Sequence, residues 1–257
     1  MAEFDRPTIA AGAGSAAVVD QGLRSYMLRV YNYMTIGLVV TGVVAYFANS
    51  LALTSDATNA VGQLANGVYL TAFGAAIYTS PLMWLITFAP LAFVLALSFG
   101  IQRMSAGAAQ LTFWAFAAVM GLSLSSIFAV YTGTSIAKVF FISAGTFGAM
   151  SLYGYTTKRD LTAIGSFLFM GLIGLIIASL VNFFLHSSAL AFGISLIGVG
   201  IFIGLTAYDT QNIKVMYQEA DGAEMLGKKA IMGALRLYLD FINLFLMLLR
   251  LMGNSRN

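Results

Sequence analysis

The sequence predicts an all-α membrane protein, a bundle of seven transmembrane helices. Of its 257 residues, 60% are hydrophobic and 9% are charged, whereas a soluble domain has about 25% charged residues. Four long stretches contain no Asp, Glu, Lys or Arg: 30–55, 57–102, 104–137 and 161–208. A helix crosses a bilayer with roughly 20 mostly apolar residues, so several of these stretches hold one or two spans. Because they are apolar all round, a membrane β-barrel is not expected.

We place the helices at about 26–49, 82–102, 107–130, 136–156, 162–185, 189–212 and 230–252. The segment 51–80 is weakly apolar and rich in Gly, Ala and Thr, which favours an external loop with a surface-lying helix. Residues 1–24 are polar, lack the short apolar core of a signal peptide and are predicted to be disordered. Residues 25–253 then form one seven-helix domain, and 254–257 form a short tail.

The placement of Lys and Arg predicts a cytoplasmic N-terminus. In this orientation the cytoplasmic side collects nine basic residues and the outer side three, as the positive-inside rule requires. The inner set is Arg6, Arg24, Arg29, Arg103, Lys158, Arg159, Lys214, Lys228 and Lys229, and the outer set is Lys138, Arg250 and Arg256. A re-entrant seventh segment would keep both termini inside, but we favour a full crossing. The short termini and Ala/Gly-rich composition favour a bacterial inner membrane.

Small residues spaced four apart predict where helices approach closely. Lipid gives helices no hydrophobic drive to associate, so small residues that let backbones approach are favoured at helix interfaces. Three such pairs occur, at Ala117–Gly121, Ala144–Gly148 and Gly200–Gly204. Membrane helices are also rich in Gly and Ala without such a role, and the sequence leaves both interpretations open.

Three ionisable residues lie where a charge is costly. Asp209 is near the end of the sixth helix, Asp240 is inside the seventh, and Arg103 ends the second. Ionisable groups at membrane depth usually face the protein interior and serve a function. On the seventh helix, Arg236 and Asn243 share the face of Asp240, and this polar stripe is predicted to point inward.

Asp209 and Asp240 are the predicted pH sensor. Two carboxylates close together in a poorly solvated place cannot both ionise cheaply, so they titrate as a unit. They are also candidate transient contacts for Ca²⁺, which prefers oxygen ligands. Simpler interpretations are that Asp209 lies at the water interface, that Asp240 pairs with Arg236 one turn away, and that Arg103 is a positive-inside anchor.

Other site classes have little support. The chain has no cysteine, which excludes disulfides and thiolate sites. His186 stands alone near the outer end of the fifth helix, so an interfacial role is favoured over a metal site. We expect no cofactor, and the scattered basic residues with a net charge of +3 favour contact with anionic lipid over nucleic acid.

Four segments carry motifs that resemble a known family. The most specific is Leu-Tyr-Leu-Asp-Phe-Ile-Asn-Leu-Phe over residues 237–245, followed by Leu248-Leu249-Arg250. The others are Tyr-Asp-Thr-Gln at 208–211, Met-Gly-Leu-Ser-Leu-Ser at 120–125 and Ser-Leu-Tyr-Gly-Tyr-Thr at 151–156. Together they resemble the Bax inhibitor-1 family, in particular its bacterial YccA-like branch, over about residues 25–253.

The resemblance implies a bundle in which the last helix is central and the other six surround it. Family members are linked to a pH-controlled calcium leak, in which Asp209 and Asp240 would be the proton-sharing pair. An arginine matching Arg103 would engage Asp209. Eukaryotic relatives are associated with suppression of cell death, and one bacterial branch binds and restrains a membrane-anchored AAA protease.

Three functions therefore stay open. The leading one is a pH-sensitive Ca²⁺ leak channel gated by the aspartate pair. An enzyme similar to intramembrane aspartyl proteases is not expected, because Arg-Leu-Tyr-Leu precedes Asp240 where those enzymes have Gly-x-Gly. His-Glu-x-x-His and Gly-x-Ser-x-Gly are also absent from the sequence. The third is an interaction protein that modulates a membrane-anchored AAA protease or a stress response without transport of its own.

Overall fold

The structure is a computed structural model that describes the backbone of residues 7–63 and 67–255 and the side chains of 21–58, 60–63 and 67–255. Of the segment 1–24 that was predicted to be disordered, residues 1–6 lie outside the described residues, whereas 7–24 are helical as the first part of α1. Residues 256–257 of the predicted tail also lie outside the described residues. The helices are α1 (Pro7–Ala52), α2 (Ala72–Tyr78), α3 (Leu82–Gly100), α4 (Ala106–Leu124), α5 (Ile127–Val130), α6 (Gly133–Thr156), α7 (Thr162–Leu185), α8 (Ser188–Val215) and α9 (Ala223–Met252).

Seven helical stretches of the described chain are long and apolar enough to cross a membrane, which confirms the predicted number. They are α1 from Gln21, α3, α4 continued through α5, and α6 to α9. On α3 and α7, only 11% of the residues in the most apolar window are buried. Large apolar side chains such as Phe99 and Phe184 are 81% and 74% exposed. Such faces are stable in contact with lipid chains, and the chain is a multi-pass membrane protein.

The ends of α7 coincide with the predicted ones, because polar residues fix both. At the start, Asp160 Oδ1 accepts a hydrogen bond from the backbone N–H of Thr162 at 2.9 Å. At the end, His186 adopts a left-handed conformation with φ 50°, which stops the helix as a C-cap does. By contrast, α9 begins at Ala223, before the predicted residue 230. Its first turns carry charges that face each other, since Lys228 pairs with Glu224 one turn earlier at 3.2 Å.

The segment between the first two spans contains more than the predicted surface helix. It forms β1 (Leu53–Thr54), a 3₁₀ turn (Ala57–Asn59), β2 (Gly62–Gln63) and β3 (Tyr69–Leu70), followed by α2. The strands make one antiparallel sheet in the order β1-β3-β2. Residues 64–66 lie outside the described part. Two-residue strands lack the alternating pattern by which a sequence reveals a strand, so this sheet was not predicted.

The last helix runs the length of the bundle, antiparallel to α6. Near its C-terminal end, the backbone N–H of Asn254 donates to Ser135 Oγ at the start of α6, at 2.9 Å. Further along, the ring of Phe241 lies 5.6 Å from that of Phe147. The remaining turns of α9, back to Ala223, continue towards the C-terminal end of α6 as one unbroken helix. Its 30 residues span about 45 Å, so α9 is not re-entrant within the bundle.

Burial sets α9 apart from the other spans. In its most apolar window 67% of the residues are buried, against 39% or less in the other six. It packs against α1, α3, α4, α6 and α8. These contacts place its polar stripe among neighbouring helices, and the central position of the last helix stays a prediction.

Only some of the small-residue pairs lie at helix contacts. A Cβ atom on Gly121 would lie 2.6 Å from the carbonyl oxygen of Thr41, so this glycine lets α4 approach α1. The prediction holds for Ala117–Gly121, whereas Gly148 faces open space. α6 instead approaches α8 closely at Gly154, against the backbone of Ala207. Ala144 and Gly148 both line a cleft that is described below.

Candidate functional site: a carboxyl pair between the last two helices

The two predicted aspartates lie together where α8 and α9 pack. Asp240 is 5% exposed, and Asp209 is half-buried. Their side chains are in hydrogen-bonding contact with each other. The helices approach closely because Gly233 of α9 has no side chain: a Cβ there would lie 3.0 Å from the side chain of Ile213 on α8. The sequence analysis predicts that the two residues act as a pair, and the structure brings their side chains together.

The contact between the two carboxyl groups determines how many protons the pair must hold. Ionised carboxylates only accept hydrogen bonds, so two carboxyl groups can bond only when one of them carries a proton. Oδ2 of Asp240 is buried and accepts no hydrogen bond from a donor among the described residues. A buried, unpartnered charge is costly. The arrangement therefore suits a pair that holds one proton between two carboxyl groups.

Arg236 is the cation whose charge acts on both aspartates. It lies one turn before Asp240 on α9 and is half-buried. It is not in ion-pair contact with either carboxyl group among the described residues, so a simple intrahelical Arg236–Asp240 pair is not what the structure contains. Its charge also acts on Tyr26 of α1, whose buried hydroxyl has no hydrogen-bond partner in the described chain. Arg236 thus lies within electrostatic range of both aspartates and of Tyr26 on α1.

Two other residues predicted for the site lie elsewhere. Arg103 is in the turn after α3, its side chain is exposed, and it forms no ion pair among the described residues. The expected engagement of Asp209 by Arg103 is therefore not seen, and Arg236 supplies the nearby positive charge. Asn243 is half-buried and donates from Nδ2 to the carbonyl of Leu239 in its own helix at 2.8 Å.

A chain of hydroxyl groups, missed in the sequence analysis, approaches the pair from α1. Thr210, next to Asp209, donates to the carbonyl of Thr206 at 2.7 Å. Its only proton is thus engaged, and it accepts from Ser151 at 3.0 Å. Ser151 in turn accepts from Tyr31 at 2.6 Å. Each hydroxyl thus donates in the same direction, from Tyr31 on α1 to Ser151 on α6 and from Ser151 to Thr210 on α8. Thr206 and Thr210 repeat at i, i+4 on α8, the spacing that reveals a shared face.

A second polar link fixes α9 to α1 and α4. Thr41 donates from Oγ1 to the carbonyl of Ala117 at 2.8 Å. Since a threonine has one hydroxyl proton, the 2.6 Å contact between Thr41 Oγ1 and Tyr238 is donated by the tyrosine. Tyr238 is fully buried, and its ring lies edge-on to Phe113 and Phe116, with centroids 6.0 and 5.2 Å away.

A cleft of about 690 Å³ opens between α1 and α6, and we call it the lateral cleft. Phe241 of α9 contributes to its wall, and Tyr31 and Ser151 of the hydroxyl chain line it. Neither Asp209 nor Asp240 lines it. The hydroxyl chain leads from this opening to Thr210 on α8, the residue next to Asp209 in the sequence.

The described residues contain no group of three or more His, Cys, Asp or Glu side chains that could hold a metal ion. His186 is exposed at the end of α7, and its Nδ1 lies 3.1 Å from the carbonyl of Phe184. The two aspartates thus offer at most a pair of carboxyl groups to a cation, which is fewer ligands than the six to eight of a stable calcium site.

The chain is similar to known bacterial membrane proteins. The model of the family described as inhibitor of apoptosis-promoting Bax1 matches residues 23–257. An uncharacterized protein of Rickettsia prowazekii is 51% identical over 93% of both chains. The inner membrane protein YbhL of Escherichia coli K12 is 49% identical, over 91% of this chain and 94% of its own. An uncharacterized membrane protein of Streptococcus pyogenes is 36% identical, over 92% and 95%. This chain is a member of the Bax inhibitor-1 family.

Proposed function

We propose that this protein is a pH-sensitive leak channel for Ca²⁺, gated by the pair Asp209 and Asp240. The observation that carries the proposal is the hydrogen-bonding contact between these two carboxyl groups across the α8–α9 interface. A contact that exists only with a shared proton makes the packing of two membrane helices depend on pH.

The expected direction of the pH response follows from the shared proton of the Asp209–Asp240 pair. With one proton, the pair forms a hydrogen bond that holds α8 against α9, and neither aspartate lines the lateral cleft. When the proton leaves, two carboxylates repel each other in a poorly solvated place, and Arg236 offsets only part of this cost. Separation of α8 from α9 relieves the repulsion and lets water reach both groups. We therefore expect flux to rise as pH rises.

The same two groups suit the proposed ion. Calcium binds oxygen ligands, and the carboxylates would become available to it in the same step that opens the pathway. Conduction requires binding weak enough to allow release. Two carboxylates without further acidic side chains in the group meet that requirement better than a complete binding site would.

We also propose that the N-terminus is cytoplasmic and that the membrane is a bacterial inner membrane. The name of the E. coli relative supports this location, and the positive-inside rule supports the orientation. Most basic residues of the described chain lie near the ends of the membrane spans, on the side where α9 begins: Arg24, Arg103, Lys158, Arg159, Lys214, Lys228 and Lys229. A C-terminal alkaline phosphatase fusion is expected to be active, and an inactive, stable fusion would contradict the orientation.

We propose no catalytic role for the pair. An aspartyl protease needs space for a substrate beside both carboxyl groups, and here one of them is 5% exposed. Cleavage of a transmembrane peptide by the purified protein, lost in Asp209→Asn, would overturn this. If no flux is found, we favour the alternative function, in which the protein modulates a membrane-anchored AAA protease or a stress response.

The test is Ca²⁺ flux into liposomes that contain the purified protein, measured from pH 5 to 8. Asp209→Asn and Asp240→Asn are compared with wild type, because an asparagine amide can donate to the remaining carboxylate at every pH. Arg103→Gln serves as a matched control at an exposed charge away from the pair.

We expect wild-type flux to rise with pH and both asparagine variants to have low flux with no pH dependence. Arg103→Gln is expected to keep the wild-type profile. A pH profile unchanged in both asparagine variants would rule out the pair as the gate. Flux no higher than in empty liposomes at any pH would rule out the channel.

A further inference from the structure

We propose that the lateral cleft between α1 and α6 binds one lipid with an anionic headgroup. The headgroup would lie at Arg24, and an acyl chain would extend along α1 towards Leu38. This is a defined binding site, distinct from general contact with the bilayer, and it does not depend on the proposed ion conduction.

The dimensions of the cleft match a lipid in one leaflet. Its lining on α1 begins at Arg24 and extends to Leu38, which is about 21 Å at 1.5 Å per residue. Half of a bilayer, from the headgroup region to the midplane, is about 20–22 Å thick. The volume of about 690 Å³ falls within the range of about 300–1,000 Å³ of small-molecule sites.

The lining is apolar along most of its length. Its polar side chains are Arg24 and the hydroxyl-bearing residues Tyr31, Thr35, Ser151 and Tyr155, and the hydroxyls of Tyr31 and Ser151 bond to each other. The other ten lining residues are apolar and come from α1, α6 and α9. At the far end these are Leu38, Phe140 and Phe241, which also line a second cavity of about 100 Å³ that continues along α1. An acyl chain requires such a surface, and an exposed apolar cleft open to the membrane would be filled by one.

Charge distinguishes the two ends of the cleft. Arg24 lines one end. Tyr155, which also lines the cleft, lies under Lys214, whose Nζ is 5.1 Å from the ring centroid and donates to the Tyr155 carbonyl at 2.8 Å. None of the described lining residues is acidic, and the nearby Asp221 is already paired with Lys229. Basic pockets between membrane helices recognise anionic headgroups, which selects an anionic lipid over a zwitterionic one.

The structure offers matched variants for a test. A Cβ on Gly148, which lines the cleft, would have no neighbouring atom within 4 Å, and the same is true of Gly145, which does not line it. Gly148→Leu therefore fills the cleft without a clash, and Gly145→Leu is its control. Arg24→Gln removes the headgroup contact, and Arg29→Gln removes an exposed charge of α1 outside the cleft.

The measurement is native mass spectrometry of the purified protein exchanged into equal amounts of phosphatidylglycerol and phosphatidylcholine. We expect one retained lipid, mostly phosphatidylglycerol. Arg24→Gln should lower the preference for phosphatidylglycerol about fivefold, as expected for one basic side chain near a headgroup. Gly148→Leu should abolish retention, and the two control variants should behave as wild type.

Two results would overturn the proposal. One is equal loss of lipid preference in Arg24→Gln and Arg29→Gln, which would mean that the general surface charge attracts lipid. The other comes from a photo-crosslinking amino acid at Leu152, which lines the cleft: crosslinks in membranes to the transmembrane segment of another protein, and none to lipid, would assign the cleft to a protein partner. Crosslinking also gives a result if a leucine variant fails to fold. All these readouts are independent of Ca²⁺ flux, so either proposal can fail alone.

Discussion

The buried link between Tyr238 and Thr41 allows a test in which one substitution reverses the effect of another. Tyr238 donates to Thr41, and Thr41 donates to the carbonyl of Ala117. The two partners are thus not equivalent, because Tyr238 only donates in this link, whereas Thr41 both accepts and donates. Phe at position 238 and Val at position 41 each remove one hydroxyl while keeping nearly the same volume.

The two costs follow from what each substitution leaves behind. Tyr238→Phe removes the donor and leaves Thr41 bonded to Ala117, so the loss is that of one hydrogen bond, about 1 kcal/mol. Thr41→Val leaves the hydroxyl of Tyr238 without an acceptor in a site where the residue is fully buried. An unsatisfied buried donor costs about 1–3 kcal/mol. Hydrogen bonds between membrane helices are worth about 0.6 kcal/mol on average, so we expect values in the lower half of these ranges.

The double variant gives the decisive comparison. With Thr41→Val present, Tyr238→Phe removes the unsatisfied hydroxyl and should raise the free energy of unfolding by about 0.5–1 kcal/mol, although it lowers it in the wild type. The assay is reversible unfolding in mixed micelles of mild detergent and sodium dodecyl sulfate. Tyr46→Phe, at a tyrosine that is 59% exposed, is the control and should change little. If the two single effects add in the double variant, the direction of donation inferred here is wrong.

Two more predictions concern packing and a loop. Gly121→Leu should prevent stable folding because its Cβ would lie 2.6 Å from the Thr41 carbonyl, whereas Gly145→Leu, in open space, should not; the retained monomer on size-exclusion chromatography measures both. Outside the membrane-spanning segments, hydrogen bonds from the Thr162 side chain and backbone lower the pKa of Asp160 below its usual 3.8. The stabilisation it provides is therefore present above pH 3.8 and lost as pH falls through the lowered pKa. Thr162→Val should raise that pKa towards 3.8, as seen by NMR titration, and an unchanged pKa would contradict the assignment.

The sequence predicts the membrane helices well, because the bilayer imposes a simple rule. A span needs about 20 apolar residues with all backbone groups bonded internally. α7 agrees with its predicted ends, since charged or polar residues bound it on both sides. Where charge lies within a helix, the rule misplaces the end, as at Lys228 in α9. The small sheet of residues 53–70 escapes the rule altogether, because its strands are two residues long.

The site is only partly predictable for a different reason. Asp209 and Asp240 are recognisable because a carboxyl group in an apolar helix is costly and therefore conspicuous. Their contact depends on how two helices rotate about their axes, and the sequence gives only a face for each. Arg103 and Arg236 were both plausible partners by position along the chain. The choice between them depends on a tertiary arrangement in which Arg236 lies on α9 itself.

Within one turn of α9, successive side chains contact different neighbours, and this connects the features described above. Tyr238 bonds to α1 and α4 through Thr41, Asp240 meets Asp209 on α8, and Phe241 packs on α6 and lines the lateral cleft. Successive residues are about 100° apart around a helix, so Asp240 points about 160° away from Tyr238 and about 100° away from Phe241. A movement of α9 away from α8 on loss of the shared proton would therefore press on the Thr41 link and on the cleft wall at once. A lipid in the cleft and a proton on the carboxyl pair would then act on the same helix at adjacent residues, Phe241 and Asp240.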